Sequence, residues 1–88
     1  MKHGPFHFTV TDLARFLGKA AVTIRGWERK GLVTLPRDSG GDRKLTVEEV
    51  RDVAKIAFHH KRITRHRLDM IEAACTLLSL IEGDTDAR

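Results

Sequence analysis

The side chains most able to bind a ligand lie in the stretch 21–32, AVTIRGWERKGL. At helical spacing, the hydroxyl of Thr23 and the guanidinium groups of Arg25 and Arg29 fall on one side of this segment. A small, hydroxylated and cationic helix face is typical of a helix that lies in the major groove of DNA. The same face also carries Val22 and Gly26.

The opposite side of this helix carries Ala21, Ile24, Trp27 and Glu28. This side is mostly apolar, so we expect it to pack inward. The helix is predicted to end at Lys30-Gly31, because Gly31 can adopt the left-handed conformation after the last turn. Gly26 in the helix interior costs ~1 kcal/mol relative to alanine. The sequence leaves open whether it serves packing or the close approach of a phosphate.

Length and composition describe one small domain of 88 residues with a net charge of +4. Residues 1–46 carry nine lysines or arginines and four acids, a net charge of +5, whereas 47–88 carry a net charge of −1. A basic half is the expected footprint of a phosphate-binding surface, although small domains are also basic for solubility alone. The single cysteine excludes an intrachain disulfide. With no signal-peptide or membrane-spanning run, the predicted location is the cytosol, with no membrane contact.

The elements before the central stretch complete a helix-turn-helix pattern. Residues 8–18 are predicted to form the first helix, with Thr9 and Asp12 as a capping pair and Gly18 at its end. The tight turn 18–20 leads directly into the next helix. In this pattern, the second helix is the one that reads the DNA.

A β-hairpin is predicted after the recognition helix. Residues 32–35 form one strand, 43–45 the other, and the sequence between them is turn-rich. As a basic wing, this hairpin would bring Arg37, Arg43 and Lys44 to phosphates or to the minor groove. The alternative is a solvated loop with incidental charge.

Two further helices follow. Thr46 and Glu49 form a capping box, so a third helix is predicted from residue 47 to about 61. The cationic run 61–67 comes next, and Thr64 in it can cap a fourth helix. Cations oppose the dipole at a helix start, so either a phosphate or an acidic partner lies nearby, or the run is a solvated joint.

The fourth helix, 65–82, carries apolar residues at a repeated three- and four-residue spacing. Either it folds back on the first three helices, or it pairs with a second chain as in a short coiled coil. The candidate oligomerisation residues are Leu68, Ile71, Cys75, Leu78 and Ile81. Residues after 83 are predicted to be disordered.

No catalytic constellation can be assembled from the sequence. A Ser/His/Asp set, a Cys/His set, paired carboxylates on a rigid frame and a glycine-rich phosphate loop are all missing. His59, His60 and His66 lack a carboxylate or cysteine that would complete a metal site. We therefore expect a protein that is not an enzyme and that needs no cofactor or metal.

These motifs resemble the DNA-binding half of the MerR family in order and spacing. The resemblance covers about residues 8–58 and is carried by Leu13-Ala14, Gly18, the run 23–32 and Arg43-Lys44-Leu45-Thr46. It implies that Thr23, Arg25, Arg29 and Arg43 contact DNA. Gly26 and Leu45 depart from the family pattern, since aromatic residues stand there in the family.

In size and layout, the chain also resembles the excisionases of temperate phages, such as those of mycobacteriophages. These recombination directionality factors bind adjacent DNA sites, bend the DNA and direct an integrase toward excision. The resemblance implies double-stranded DNA, further copies of this chain and a phage integrase as partners. It also implies a location in the cytoplasm of a bacterial host cell, in association with the nucleoid.

The sequence thus predicts a mainly α fold with a small β-hairpin, a MerR-like winged helix-turn-helix plus a C-terminal helix. The predicted segments are 1–62 (DNA-binding domain), 63–83 (amphipathic helix) and 84–88 (disordered tail). The candidate DNA-binding residues are Lys19, Val22, Thr23, Arg25, Arg29, Lys30, Arg37, Arg43 and Lys44. The expected function is that of an architectural, excisionase-type protein. The alternatives are a dimeric MerR-like transcription regulator and a protein-interaction module.

Overall fold

A computed structural model of the chain describes residues 6–35 and 44–86, with side chains described as far as residue 83. The elements follow in the order β1 (Phe8–Thr9), α1 (Val10–Leu17), α2 (Ala21–Arg29), β2 (Lys44–Leu45), α3 (Val47–His59) and α4 (Arg65–Asp86). The mainly helical class, with a small two-stranded sheet and a C-terminal helix, is therefore confirmed. The pairing of the strands and the length of the last helix differ from the prediction.

Reciprocal capping boxes start two of the helices, as the sequence predicts. At α1, the amide of Asp12 donates to Thr9 Oγ1 at 3.1 Å, and the amide of Thr9 donates to Asp12 Oδ2 at 3.0 Å. At α3, the same exchange joins Thr46 and Glu49 at 3.2 and 2.8 Å. Because Thr9 is the cap, α1 begins at Val10 instead of at residue 8.

Three helices end in the same left-handed turn. The residue after the last turn has a positive φ of 70° at Gly18, 79° at Gly31 and 61° at Lys61. In each case, the next amide reaches back to a carbonyl five residues earlier, as in a Schellman motif. These hydrogen bonds are Lys19 N to Ala14 O at 2.9 Å, Leu32 N to Trp27 O at 2.9 Å and Arg62 N to Ala57 O at 2.8 Å. The expected helix ends at Gly18 and Gly31 are confirmed, whereas α3 ends with a lysine in this conformation.

The strand pairing corrects the predicted hairpin. Lys44–Leu45 pairs antiparallel with Phe8–Thr9, with Phe8 opposite Leu45, and not with residues 32–35. Residues 33–35 have no regular secondary structure. Val33 and Leu35 are 4% and 3% exposed, because this segment is held by side-chain burial instead of by a hydrogen-bonded ladder. The predicted tip of the wing lies outside the described residues.

One hydrophobic core joins all four helices. Its most completely buried side chains are Leu13, Leu17, Ile24, Leu45 and Val50. The most extensive packing is between α3 and α4, and α4 also packs on α1. The alternative in which α4 folds back on its own chain therefore holds for the inner face of this helix.

This packing corrects the assignment of three residues to oligomerisation. Leu68, Ile71 and Cys75 are 8%, 3% and 3% exposed, because they lie in the core of their own chain. Leu78 is half-buried against the same core. The helix also continues through Asp86, three residues into the segment that was predicted to be a disordered tail.

Candidate nucleic-acid interface

The two faces of α2 are separated as the sequence predicts. Ile24 and Trp27, at 0% and 6% exposure, anchor the helix in the core. On the other side, Thr23, Arg25 and Arg29 are exposed. Val22 is 66% exposed, which leaves its methyl groups available to a partner. The structure therefore brings one hydroxyl, two guanidinium groups and one aliphatic side chain to a single outer face.

Gly26 lies within this helix, and packing among the residues that the structure describes does not require a glycine there. A Cβ built at this position would have Arg29 Nη2 as its nearest neighbour, at 4.0 Å, which is ordinary van der Waals distance. Of the two explanations left open by the sequence, intrachain packing thus has no support. Close approach of an external group to the helix backbone remains.

The ends of α2 carry two further candidate residues. Lys19 is exposed in the turn before the helix, and Lys30 is exposed at its C-cap. Ala20 occupies the N-cap with extended backbone and makes no side-chain capping hydrogen bond. The amide of Thr23 donates to the carbonyl of Ala20 at 3.0 Å, and the N-cap residue offers no side chain to the other amides of this turn, which lie where a phosphate can bind.

The wing is described only in part. Lys44 is exposed on β2, opposite Thr9 of β1. The pairing with β1 holds this lysine beside the start of α1. The other two candidates on the wing, Arg37 and Arg43, lie outside the described residues.

A second basic group adjoins the helix-turn-helix, and all of its members except Lys19 were missing from the candidate residues. An open groove of about 310 Å³ separates the turn after α1 from the segment between α3 and α4. Its cationic lining residues are Lys19, Lys61, Arg62 and Arg67. The signal in the sequence was the cationic run 61–67 at a helix start, and the fold adds that this run lies next to Lys19.

The outer face of α4 carries an apolar stripe distinct from the inner one. Met70, Leu77 and Leu80 are 51%, 59% and 63% exposed. Their spacing of seven and three residues places them on one side of the helix. Ile81, the last of the predicted oligomerisation residues, is 39% exposed. The structure therefore moves the candidate association surface from the predicted stripe to this outer stripe.

Other chemistry is limited in the part of the chain that the structure describes. Within 6–35 and 44–83, no group of three or more His, Cys, Asp or Glu side chains is close enough to hold a metal ion. Burial raises the pKa of the Cys75 thiol, against a smaller lowering by the Arg51 guanidinium. Among the described helices, none is both long and apolar enough to cross a membrane.

Known protein families and solved structures include matches to this chain. The family model described as MerR HTH family regulatory protein matches residues 8–64, more than half of the chain. Among solved structures, the chain is similar to HiNmlR, described as a MerR family regulator lacking the sensor domain, bound to promoter DNA. That match has 22% identity and a TM-score of 0.47, and covers 92% of this chain and 69% of that one. None of the curated proteins matches. From the extent of the family match, the chain belongs to the MerR HTH family of regulatory proteins.

Proposed function

We propose that this protein binds double-stranded DNA at specific sequences, with α2 in the major groove, and regulates events at the bound site. The observation that carries this proposal is the division of α2 into a buried face of Ile24 and Trp27 and an exposed cationic face. The major groove of B-DNA admits an α-helix and offers a distinct pattern of hydrogen-bonding groups for each base pair.

The exposed face of α2 has side chains suited to direct base recognition. Arg25 and Arg29 can each donate two parallel hydrogen bonds to a guanine, and Thr23 can donate to or accept from a base edge. Val22 offers an apolar contact of the kind that recognises the methyl group of thymine. The absence of a side chain at Gly26 lets the helix backbone approach the DNA closely.

Phosphate contacts would surround this base-reading face. Lys19 and Lys30 lie at the two ends of α2, and Lys44 lies on β2. The groove beside Lys19 adds Lys61 and Arg62. Each such contact positions the protein and releases counterions, but carries no sequence information directly. The wing residues Arg37 and Arg43 are proposed to extend this set.

The outer stripe of α4 supports self-association on the DNA. Met70, Leu77 and Leu80 form an exposed apolar line on one face of a helix. Membership of a regulatory family favours a closed dimer, which would place two recognition helices on a palindromic operator. The excisionase role remains the second candidate, because the same stripe could join copies head to tail along adjacent sites. Either role would place the protein in the bacterial cytoplasm, and the second adds an integrase as a partner.

The first experiment is a selection of bound sequences from a pool of random duplexes, followed by footprinting and a bend assay on the selected site. We expect a defined consensus and a footprint centred on the bases that α2 contacts. A two-fold symmetric footprint that fills in one step supports the dimeric regulator. A ladder of adjoining, same-direction sites with an increasing bend supports the excisionase role. Recovery of no consensus would contradict sequence-specific binding altogether.

A further inference from the structure

The side chain of Arg67 crosses from α4 to the end of α1. Its Nη1 donates a long hydrogen bond of 3.5 Å to the carbonyl oxygen of Phe16. Its guanidinium also lies directly over Gly18, since a Cβ built there would be 2.9 Å from Nη2 and 3.1 Å from Cζ. Arg67 therefore occupies the space beside the turn that ends α1, and a side chain at Gly18 would displace its guanidinium.

The backbone of Arg67 is also hydrogen-bonded. Its amide donates to Thr64 Oγ1 at 3.1 Å, which places Arg67 in the capped first turn of α4. A cation there opposes the dipole of its own helix, whereas the same charge beside the last turn of α1 favours the dipole of that helix. The favourable electrostatic contact of Arg67 is therefore with α1 and not with α4.

The turn held in this way leads to the recognition helix. The amide of Lys19 bonds the carbonyl of Ala14, and α2 begins two residues later at Ala21. Among the elements of the fold, α2 packs chiefly on α1, and α1 packs on α4. The orientation of α2 relative to the rest of the molecule therefore depends on how the end of α1 is held.

We propose that Arg67 is a positioning residue that sets the orientation of the recognition helix relative to α4 by holding the C-terminal turn of α1. Its effect on DNA rests on the function proposed above. Its effect on the position of α2 does not depend on that function, so the two proposals can be tested separately.

The first test needs no DNA. Arg67→Met keeps most of the apolar stem and removes the guanidinium, and amide NMR spectra of the variant are compared with those of the unaltered protein. We expect local shifts at the two ends of the contact, the end of α1 and the start of α4, and further shifts through residues 18–29, with α3 unchanged. Arg65→Met is the matched control, because Arg65 is exposed, bonds Asp69 on its own helix at 3.3 Å and lies over the ring of Phe58 on α3, without a described contact to α1 or α2. Shifts confined to the start of α4 in both variants would overturn the proposal.

The second test uses the selected DNA site and an unrelated duplex across a salt series. Positioning predicts that Arg67→Met lowers the ratio of specific to non-specific affinity by about tenfold. The salt dependence of non-specific binding should stay the same, since no phosphate contact is lost. A salt slope smaller by about 0.9, with specific and non-specific binding weakened alike, would make Arg67 a phosphate contact and overturn the proposal. If the selection yields no site, the function proposed above fails, and the NMR comparison still decides the role of Arg67.

Gly18→Ala disturbs the contact between Arg67 and the end of α1 by a change in α1's own turn. The added Cβ would lie 2.9 Å from the guanidinium, so the arginine must move. The φ of 70° at this position also disfavours alanine, so the variant should shift the α2 resonances through its own backbone as well as through Arg67. The part that acts through Arg67 is lost only once, so the double variant with Arg67→Met should show shifts at α2 smaller than the sum of the two. Additive effects would overturn the proposal. If Arg67→Met does not fold, Arg67→Lys replaces it in both tests. We expect a partial shift of the α2 resonances in that variant, and the absence of any shift would contradict the proposal.

Discussion

The amide of Phe6 donates a hydrogen bond of 2.7 Å to Oε2 of Glu82, a residue 76 positions later in the chain. This partly buried contact joins the segment before β1 to the last turns of α4. This hydrogen bond therefore connects the two ends of the described chain, and the amino-terminal segment packs against α4.

Replacing Glu82 should release that segment. We expect Glu82→Ala to lower the free energy of unfolding by about 1–2 kcal/mol, because a charged acceptor is removed from a partly buried amide. Urea denaturation gives the energy, and hydrogen exchange at the Phe6 amide gives the location. Glu72→Ala, on the same helix, should leave the exchange at Phe6 unchanged. Unaltered protection of the Phe6 amide in Glu82→Ala would show that this hydrogen bond does not hold the segment.

Gly26→Ala should separate stability from DNA binding. Alanine is the better helix former by about 1 kcal/mol, and the site has room for the added methyl group, so the thermal midpoint should rise. DNA affinity should fall, because the methyl group blocks close approach of the helix backbone. Gly83→Ala is the control, since it also adds a methyl group to open space but lies at the far end of α4. Unchanged affinity in Gly26→Ala would show that the DNA does not need this space.

Base and phosphate contacts should respond differently to mutation. Arg25→Ala should weaken binding to the selected site by about 1–3 kcal/mol and leave binding to unrelated duplexes nearly unchanged. Lys44→Ala should weaken binding to all sequences and lower the salt slope by about 0.9. Fluorescence titrations at several salt concentrations measure both quantities, with Lys55→Ala on α3 as the control. Wild-type affinity of Arg25→Ala for the selected site would show that α2 is not the recognition helix.

The end of α3 can be stabilised by a single change. Lys61 has a φ of 61°, in the left-handed region that disfavours residues with a side chain. Lys61→Gly should raise the free energy of unfolding by about 0.5–1 kcal/mol, the relief of strain being partly offset by the greater freedom of glycine in the unfolded chain. Lys61→Ala removes the same charge but keeps the strain, so thermal unfolding of the two variants isolates the backbone effect. Equal midpoints would rule that effect out.

Cys75 should make stability fall in alkaline solution. Burial raises the pKa of its thiol, so the native state keeps the proton above about pH 8.5, where the unfolded chain has lost it. The native state then binds more protons than the unfolded state, and the free energy of unfolding falls as pH rises through this window. Urea denaturation between about pH 7 and pH 10 measures the slope. Cys75→Val, which cannot titrate, should show a smaller one, and identical slopes would exclude the thiol as the cause.

The capping boxes of α1 and α3, the glycine ends of α1 and α2 and the two faces of α2 could be predicted from the sequence because they depend on neighbours in the chain. A capping box joins residues three positions apart, as Thr46 and Glu49 show. A left-handed end depends on one backbone conformation, and glycine marks it at positions 18 and 31. Helical periodicity alone separates Arg25 from Trp27. The candidate interface on α2 therefore required no knowledge of the tertiary structure.

Only the tertiary structure decided the contacts between residues that are distant in the sequence. Leu45 pairs with Phe8 instead of with the nearer segment, because strand pairing depends on which surfaces the core brings together. The inner stripe of α4 is covered by α1 and α3 and the outer one is not, although both have helical spacing in the sequence. The guanidinium of Arg67 meets the end of α1 across 51 positions. Local spacing specifies each helix and its polar face, but only three-dimensional packing determines which face is covered and what holds the recognition helix in place.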